Sequence, residues 1–194
     1  MVKVAFDLFH RQGIHATSVD QVLEASQTGK SQFYYYFKNK EGLIHAVLEA
    51  IYERLKTHQT PYKSKIESWP DLEGWFNHFL KFQQVTNCER SCPVGTIGGD
   101  LENGQQLLRQ DARLIFDLMS RSLVDFFQQL KGRNQLRAGC EPQALADFCF
   151  TVMQGGLLVG KVRRETAPFE NSVHHAMQYL KHVTGNLPQR TLRK

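Results

Sequence analysis

The chain has 194 residues, 41% of them apolar and 22% charged, which is enough to bury a core unaided and too apolar for the disordered, collagen-like and coiled-coil classes. Lys plus Arg exceed Asp plus Glu by 24 to 19, a formal charge of +5, an excess that suits polyanionic partners without identifying one. No run approaches the roughly 18 uninterrupted apolar residues of a membrane span, and no signal-type apolar stretch follows Met1, so the expectation is a cytoplasmic protein with no membrane partner.

Apolar residues recur at helical spacing over most of the length, and sustained strand-type alternation is almost absent, which predicts an all-α fold. Residues 4 to 12 read as a first helix with Val4, Ala5, Leu8 and Phe9 on one side, stopped at Gly13. Thr17 or Ser18 is the N-cap of a second helix that carries Val19, Val22 and Leu23 and fades at Ser26 and Gln27. After Gly29, residues Lys30 to Phe37 make a third helix of only about two turns. Asn39 caps a fourth from Lys40 to about Lys56. Pro61 and Pro70 bracket a polar connection, Tyr62 to Trp69, into a second domain, and the boundary falls along the fourth helix.

Beyond it, Asp71 to Thr86 is helical with Leu72, Trp75, Phe76, Phe79 and Leu80 on one stripe, and Ser91 to Gly99 is a break. The run from Gln105 to Leu130 is the spine of this domain. Pro142 opens the next helix, which carries Leu145, Phe148, Cys149, Val152, Met153, Gly156, Leu157 and Gly160. A last helix runs from Pro168 to Thr184, and the tail ends on Arg190, Arg193 and Lys194. Four cysteines, Cys88, Cys92, Cys140 and Cys149, are expected as reduced thiols. The C-x3-C spacing of Cys88 and Cys92 has no second pair beside it, so no metal site is expected.

Two short helices, the second very short and basic, propped by a long one, form the layout of a helix-turn-helix reader of DNA. Thr28 to Lys40 contains three lysines and no acid. Phe33 and Phe37, four residues apart, anchor the third helix on the first two and turn its polar groups outward. Gln32 is the candidate for reading a base edge, because its amide can pair bidentately with adenine, and Thr28, Lys30, Ser31 and Tyr35 lie beside it. Tyr34, Lys38 and Lys40 are placed for phosphates. Thr17 or Ser18 at one helix N-terminus and Asn39 with Lys40 at another add backbone N–H donors. Three consecutive tyrosines, Tyr34 to Tyr36, cannot all be buried, which supports phosphate contact.

The ordered residues Ala5-x-x-Leu8-Phe9, Gly13, Thr17-Ser18-Val19, Val22 and Phe33-Tyr34-Tyr35-Tyr36-Phe37-x-x-Lys40-Glu41-x-Leu43 resemble the N-terminal signature of the tetracycline-repressor (TetR) family of transcriptional regulators. The resemblance covers about 40 residues. It implies a helix-turn-helix domain over residues 1–45, a helical effector-binding and dimerisation domain over 46–194, and a homodimeric repressor that leaves a near-palindromic double-stranded operator when a small apolar or aromatic effector binds. Two departures stand out: Ser26-Gln27-Thr28-Gly29 occupies the turn where the family usually has Ala-Gly-Val-Ser, and the family commonly carries several more residues ahead of Val2. The stretch Cys92-Pro93-Val94-Gly95 resembles a Cys-Pro-x-Gly segment of one subgroup, where it opens a short helix beside the ligand cavity.

Within the aromatic-rich second domain the candidate ligand residues are Trp75, Phe79, Cys92, Phe116, Met119 and Phe148, although core packing accounts for most such aromatics. Gly155, Gly156 and Gly160 weaken a soluble helix by about 1 kcal/mol each and therefore suggest close approach of another backbone or a ligand. Together with the need for two recognition helices about 34 Å apart, this makes Val152, Gly156, Val159, Gly160, Val173, Met177 and Leu180 the candidate dimer interface. No glycine-rich phosphate loop, nucleophile elbow or metal-type His pair is present. His174 and His175 are adjacent and so diverge on a helix, and no enzyme activity, catalytic residue or cofactor is expected. Two alternatives remain at this stage: a helical interaction module that never touches DNA, and a redox-sensing regulator using Cys88 and Cys92.

Overall fold

The computed structural model describes residues 1–57 and 65–185, which leaves the first part of the expected Tyr62–Trp69 connection and the basic C-terminal tail outside the described residues. Among the described residues there are nine helices and no strand. They are α1 Val2–Gln12, α2 Val19–Ser26, α3 Lys30–Phe37, α4 Lys40–Lys56, α5 Trp69–Val85, α6 Pro93–Gly99, α7 Gln106–Gly132, α8 Pro142–Arg163 and α9 Ala167–Val183.

The N-terminal helices are set by their caps. Ser18 closes a full capping box on α2: its hydroxyl accepts from the Gln21 N–H at 3.1 Å while the Gln21 amide oxygen accepts from the Ser18 N–H at 2.8 Å. Asn39 caps α4 by accepting from the Gly42 N–H at 2.8 Å. Ala5, Phe9, Val22, Leu23, Phe33, Leu43, Ile44 and Val47 come together from all four helices as a fully buried core.

In the larger part, α7 is the central spine, packed on α4 at one side and on α8 at the other, while α5 and α9 cover α8. α4 therefore belongs to both halves of the molecule. Ser68 caps α5 two residues earlier than the apolar pattern alone predicts, with Pro70 in its first turn. The segment that reads as a break contains α6, the short helix implied by the Cys-Pro-x-Gly resemblance. Cys92 is its N-cap, the Cys92 sulfur accepting from the Gly95 N–H at 3.4 Å, and Pro93 opens the first turn. Gly95, Gly98 and Gly99 are poor helix formers, which is why the pattern of apolar residues does not reveal it.

Gly156 and Gly160 do mark close approach, but within the chain. A side chain at Gly156 would collide with the Phe169 ring of α9, and one at Gly160 with the Gln83 side chain of α5. Gln83 is fully buried and donates its amide to the carbonyl oxygens of Leu157 at 3.0 Å and Gly156 at 3.4 Å.

Candidate nucleic-acid interface

Phe33 is the pivot of the site. Its ring is fully buried and meets Phe37 at 5.6 Å between centroids, so α3 lies on its supports with one face sealed. The helical rotation then leaves Ser31, Gln32, Tyr34, Tyr35 and Tyr36 outside. The three tyrosines are 56%, 80% and 63% exposed, far more than folding alone rewards for aromatic rings. Gly29, the N-cap of α3, supplies no side-chain cap, which leaves backbone donors of the first turn open to an anion.

The turn between α2 and α3 is held by a residue in an uncommon conformation. Gln27 takes the left-handed region, φ 53°, with its N–H on the carbonyls of Glu24 and Leu23. Thr28 is half-buried, its hydroxyl 2.7 Å from that of Ser26 and its N–H on the Leu23 carbonyl at 3.0 Å. Gln27 thus does the work of the glycine that the family pattern has at this point.

Between α3 and α4 the chain reverses through Lys38, φ 63°, and Gly42 makes the reversal possible: any side chain there would strike the Phe37 carbonyl oxygen. Sequence reasoning missed Gly42, because its helical position hides a requirement set by α3. The only signal is a glycine in the first turn of a helix that Asn39 already caps.

The expected DNA residues divide by position. Ser18, Lys30, Ser31, Gln32, Tyr34, Tyr35 and Lys38 are exposed, and Thr28 and Lys40 are half-buried. Lys30 pairs with Asp20 at 3.1 Å with both side chains well exposed, a contact weak enough to yield to a phosphate. Thr17 is a correction: it is fully buried, its hydroxyl donates to the Gly13 carbonyl at 2.7 Å and accepts from the Gln12 amide at 3.2 Å. It fixes the α1–α2 turn and offers nothing to a ligand outside.

The same turn is bolted to the other half of the molecule. The Asp100 carboxylate at the end of α6 accepts from the Ile14 N–H at 2.8 Å, and the Asp100 carbonyl accepts from His15 Nε2 at 2.7 Å. Gly13, φ 84°, sits directly against that carboxylate with no room for a side chain. At the other end of α6, buried His10 donates from Nε2 to the Ser91 carbonyl at 2.7 Å. Its ring stacks on Phe82 at 6.1 Å. Burial holds the His10 pKa below the ordinary value, reinforced by Arg90 and Lys161 and opposed by the Ser91 bond and Asp7. Two more ties join the halves: Gln105 Nε2 donates to Glu41 at 2.9 Å and His45 Nδ1 to Asp111 at 2.6 Å.

The expected ligand residues do not line one space. Trp75 and Phe79 are buried against each other, centroids 5.0 Å apart. Met119 is half-buried against the core, Phe116 packs on Phe150 at 5.1 Å, and Cys92 is buried beneath α6. Phe148 points outward beside Tyr179, at 5.5 Å. The expected dimer residues are largely corrected too: Gly156, Gly160, Met177 and Leu180 are buried inside the chain, Val152 and Val173 are half-buried, and Val159 alone of the set is exposed. α8 is apolar nearly all round, so its sequence pattern does not distinguish the inward stripe from the outward one.

A short helix with a sealed aromatic face and an exposed polar face, set on two supporting helices, is the reading head of a helix-turn-helix DNA-binding protein. The sequence profile described as "Bacterial regulatory proteins, tetR family" matches residues 2–47, and that of the "Tetracyclin repressor-like, C-terminal domain" matches residues 69–176. The chain belongs to the tetR family of bacterial regulatory proteins, a class of DNA-binding transcription regulators rather than enzymes. It is 22% identical to the HTH-type transcriptional repressor DhaR of Mycobacterium sp. (strain GP1), over 96% of this chain and 93% of that protein. It is 26% identical to the HTH-type transcriptional repressor NemR of Escherichia coli (strain K12), over 85% and 84%. Among solved structures, regulatory protein TetR from Rhodobacter sphaeroides shares the fold with a TM-score of 0.77 at 20% identity, covering 92% of this chain and 95% of that one.

Proposed function

We propose that this regulator is a homodimeric repressor that grips a near-palindromic operator with two copies of α3 and lets go when a small molecule binds its C-terminal part. The observation that carries the reading is the three-tyrosine and Gln32 face of α3, exposed over a fully buried Phe33. Gln32 reads a base edge, with Ser31 and Tyr35 beside it. Tyr34, Lys38, Lys40 and the backbone donors at the starts of α2 and α3 hold phosphates and set the register. Lys30 joins them by giving up Asp20.

Dimerisation is supported by α8. It is long and apolar enough in length and composition to cross a membrane, yet only 39% of its most apolar 18 residues are buried within the chain. The uncovered part is a helical stripe of Phe148, Thr151, Gly155, Leu158, Val159 and Val162, continued on α9 by Tyr179. Such a surface needs a partner, and a second copy related by a two-fold axis supplies the two half-site contacts an operator requires. The redox alternative has less support: Cys88 and Cys92 are buried and burial raises both thiols, away from the reactive thiolate.

The test is selection of genomic fragments on purified protein, followed by binding at several salt concentrations. A specific operator with inverted symmetry and a steep salt slope is expected. Retention of no fragment at low salt would leave the interaction-module reading in its place.

A further inference from the structure

Between α6 and the first half of α7 runs an open groove of about 440 Å³ lined by Gly95, Gly98, Gly99, Leu101, Arg109, Ala112, Arg113, Phe116 and Asp117. Its size lies within the range of small-ligand sites. One wall is α6 backbone stripped of side chains, with no heavy atom within 4 Å of where a Cβ at Gly98 or Gly99 would stand. The floor is Ala112, Phe116 and Leu101, which are apolar.

The rim is cationic. Arg109 and Arg113 are exposed and one helical turn apart. Arg109 donates to a neutral group, the Glu102 carbonyl, at 3.2 Å. Arg113 reaches Asp117 at 3.8 Å with both side chains largely in solvent, a loose pair. Two guanidiniums against one carboxylate leave a positive balance above an apolar trough. An occupant complementary to both has an apolar body and one anionic head, which a guanidinium takes bidentately.

We infer that the α6–α7 groove is a binding site for a small amphipathic monocarboxylate, its carboxylate on Arg109 and Arg113 and its apolar body along Gly98, Gly99 and Phe116. This rests on the ligand-responsive reading above and names the ligand's chemistry. Phe116 was expected from sequence as a ligand residue; the two arginines and the α6 glycines were not. A molecule seated against Gly99 and Leu101 lies directly beside Asp100, the residue that holds the Ile14 N–H.

The test is calorimetric titration of the full-length protein with octanoate, with octanol and octylamine as uncharged and cationic counterparts. Saturable octanoate binding with a Kd below about 1 mM is expected, with neither counterpart binding. Arg113→Glu should weaken it by about ten-fold or more. Gly98→Leu, placed in open space on a helix and checked for intact helicity by circular dichroism, should abolish it by filling the trough. No saturation by octanoate, equal binding of octanol, or unchanged affinity in Arg113→Glu and Gly98→Leu would overturn the assignment. The titration contains no DNA, so the readings fail separately. A protein that retains operator fragments yet ignores octanoate removes this site alone; one that binds octanoate in the groove yet retains no fragment removes the regulatory reading and keeps the site.

Discussion

The Asp100 carboxylate accepts a hydrogen bond at 2.8 Å from the Ile14 N–H, 86 residues away in sequence, and so fastens the end of α6 to the turn between α1 and α2. The other end of α6 is fastened as well, through the Ser91 carbonyl to His10. A short helix beside the proposed ligand groove is thereby tied at both ends to the DNA-binding half, and small displacements of it must be absorbed by that turn.

Asp100→Ala should cost about 1 to 3 kcal/mol, because it removes a charge-assisted bond and leaves a nearly buried backbone N–H without an acceptor. Asp100→Asn, which keeps an acceptor, should cost less. Urea unfolding measures both, and operator affinity should fall in the same order. An Asp100→Ala protein with unchanged stability and affinity would remove the clamp from the account.

On α3, Gln32→Ala should blur sequence preference while leaving affinity for unrelated duplexes nearly intact. Lys40→Ala should weaken all duplexes and lower the salt slope by about 1. Competition binding with operator and scrambled DNA at several salt concentrations separates the two. Identical behaviour of both variants would mean that α3 does not sit as proposed.

How far the chain could be read in advance follows from what its residues depend on. Gly13, Ser18, Asn39 and Pro142 act on their own backbone, so the helices they start or stop could be placed from local pattern. The exposed α3 tyrosines were legible because three in a row exceed any buried face. Gly42, Asp100 and the inward use of Gly156 and Gly160 were not, since each answers to a partner distant in sequence or on another helix: Phe37, Ile14, Phe169 and Gln83. The burial of Met177 and Leu180, expected on an outer face, was missed for a related reason. An apolar helix face carries no mark of whether its own domain will cover it.

On that outward stripe, Leu158→Glu combined with Val162→Glu should leave the helical fold intact, because both side chains are exposed, at 57% and 76%. It should turn a dimer into a monomer at micromolar concentration by placing charges in an apolar contact. Analytical ultracentrifugation reads the mass directly. Loss of operator binding should accompany the dissociation, as one half-site gives too few contacts. A double variant that sediments like the wild type would move the interface elsewhere.

Gln27 occupies a left-handed conformation that costs a non-glycine residue about 1 to 2 kcal/mol. Gln27→Gly relieves that strain and returns part of it as unfolded-chain entropy, so a net gain of up to about 1 kcal/mol is expected. Thermal unfolding of the two proteins tests it. A lower melting temperature in Gln27→Gly would mean that the glutamine side chain contributes something its exposed position conceals.

His10 gives a dependence on pH. Its folded-state pKa lies below the ordinary 6.5 because burial disfavours the charged ring, with Arg90 and Lys161 adding to the effect against the Ser91 bond and Asp7. Above pH 6.5 the ring is neutral in both states and its contribution is complete. As pH falls from 6.5 toward the depressed folded value, the unfolded chain takes up a proton that the folded one refuses, so stability declines, by at most about 1.4 kcal/mol per pH unit for this one site. His78 also has a lowered pKa through burial and contributes in the same window. Comparison with His10→Gln, whose amide can still donate to the Ser91 carbonyl, therefore isolates His10. The difference in unfolding free energy between the two proteins should be flat above pH 6.5 and should shift in favour of His10→Gln below it. A difference that stays constant down to pH 5 would show that the ring charges without leaving its place against Phe82, and that the tie between α1 and Ser91 tolerates the imidazolium.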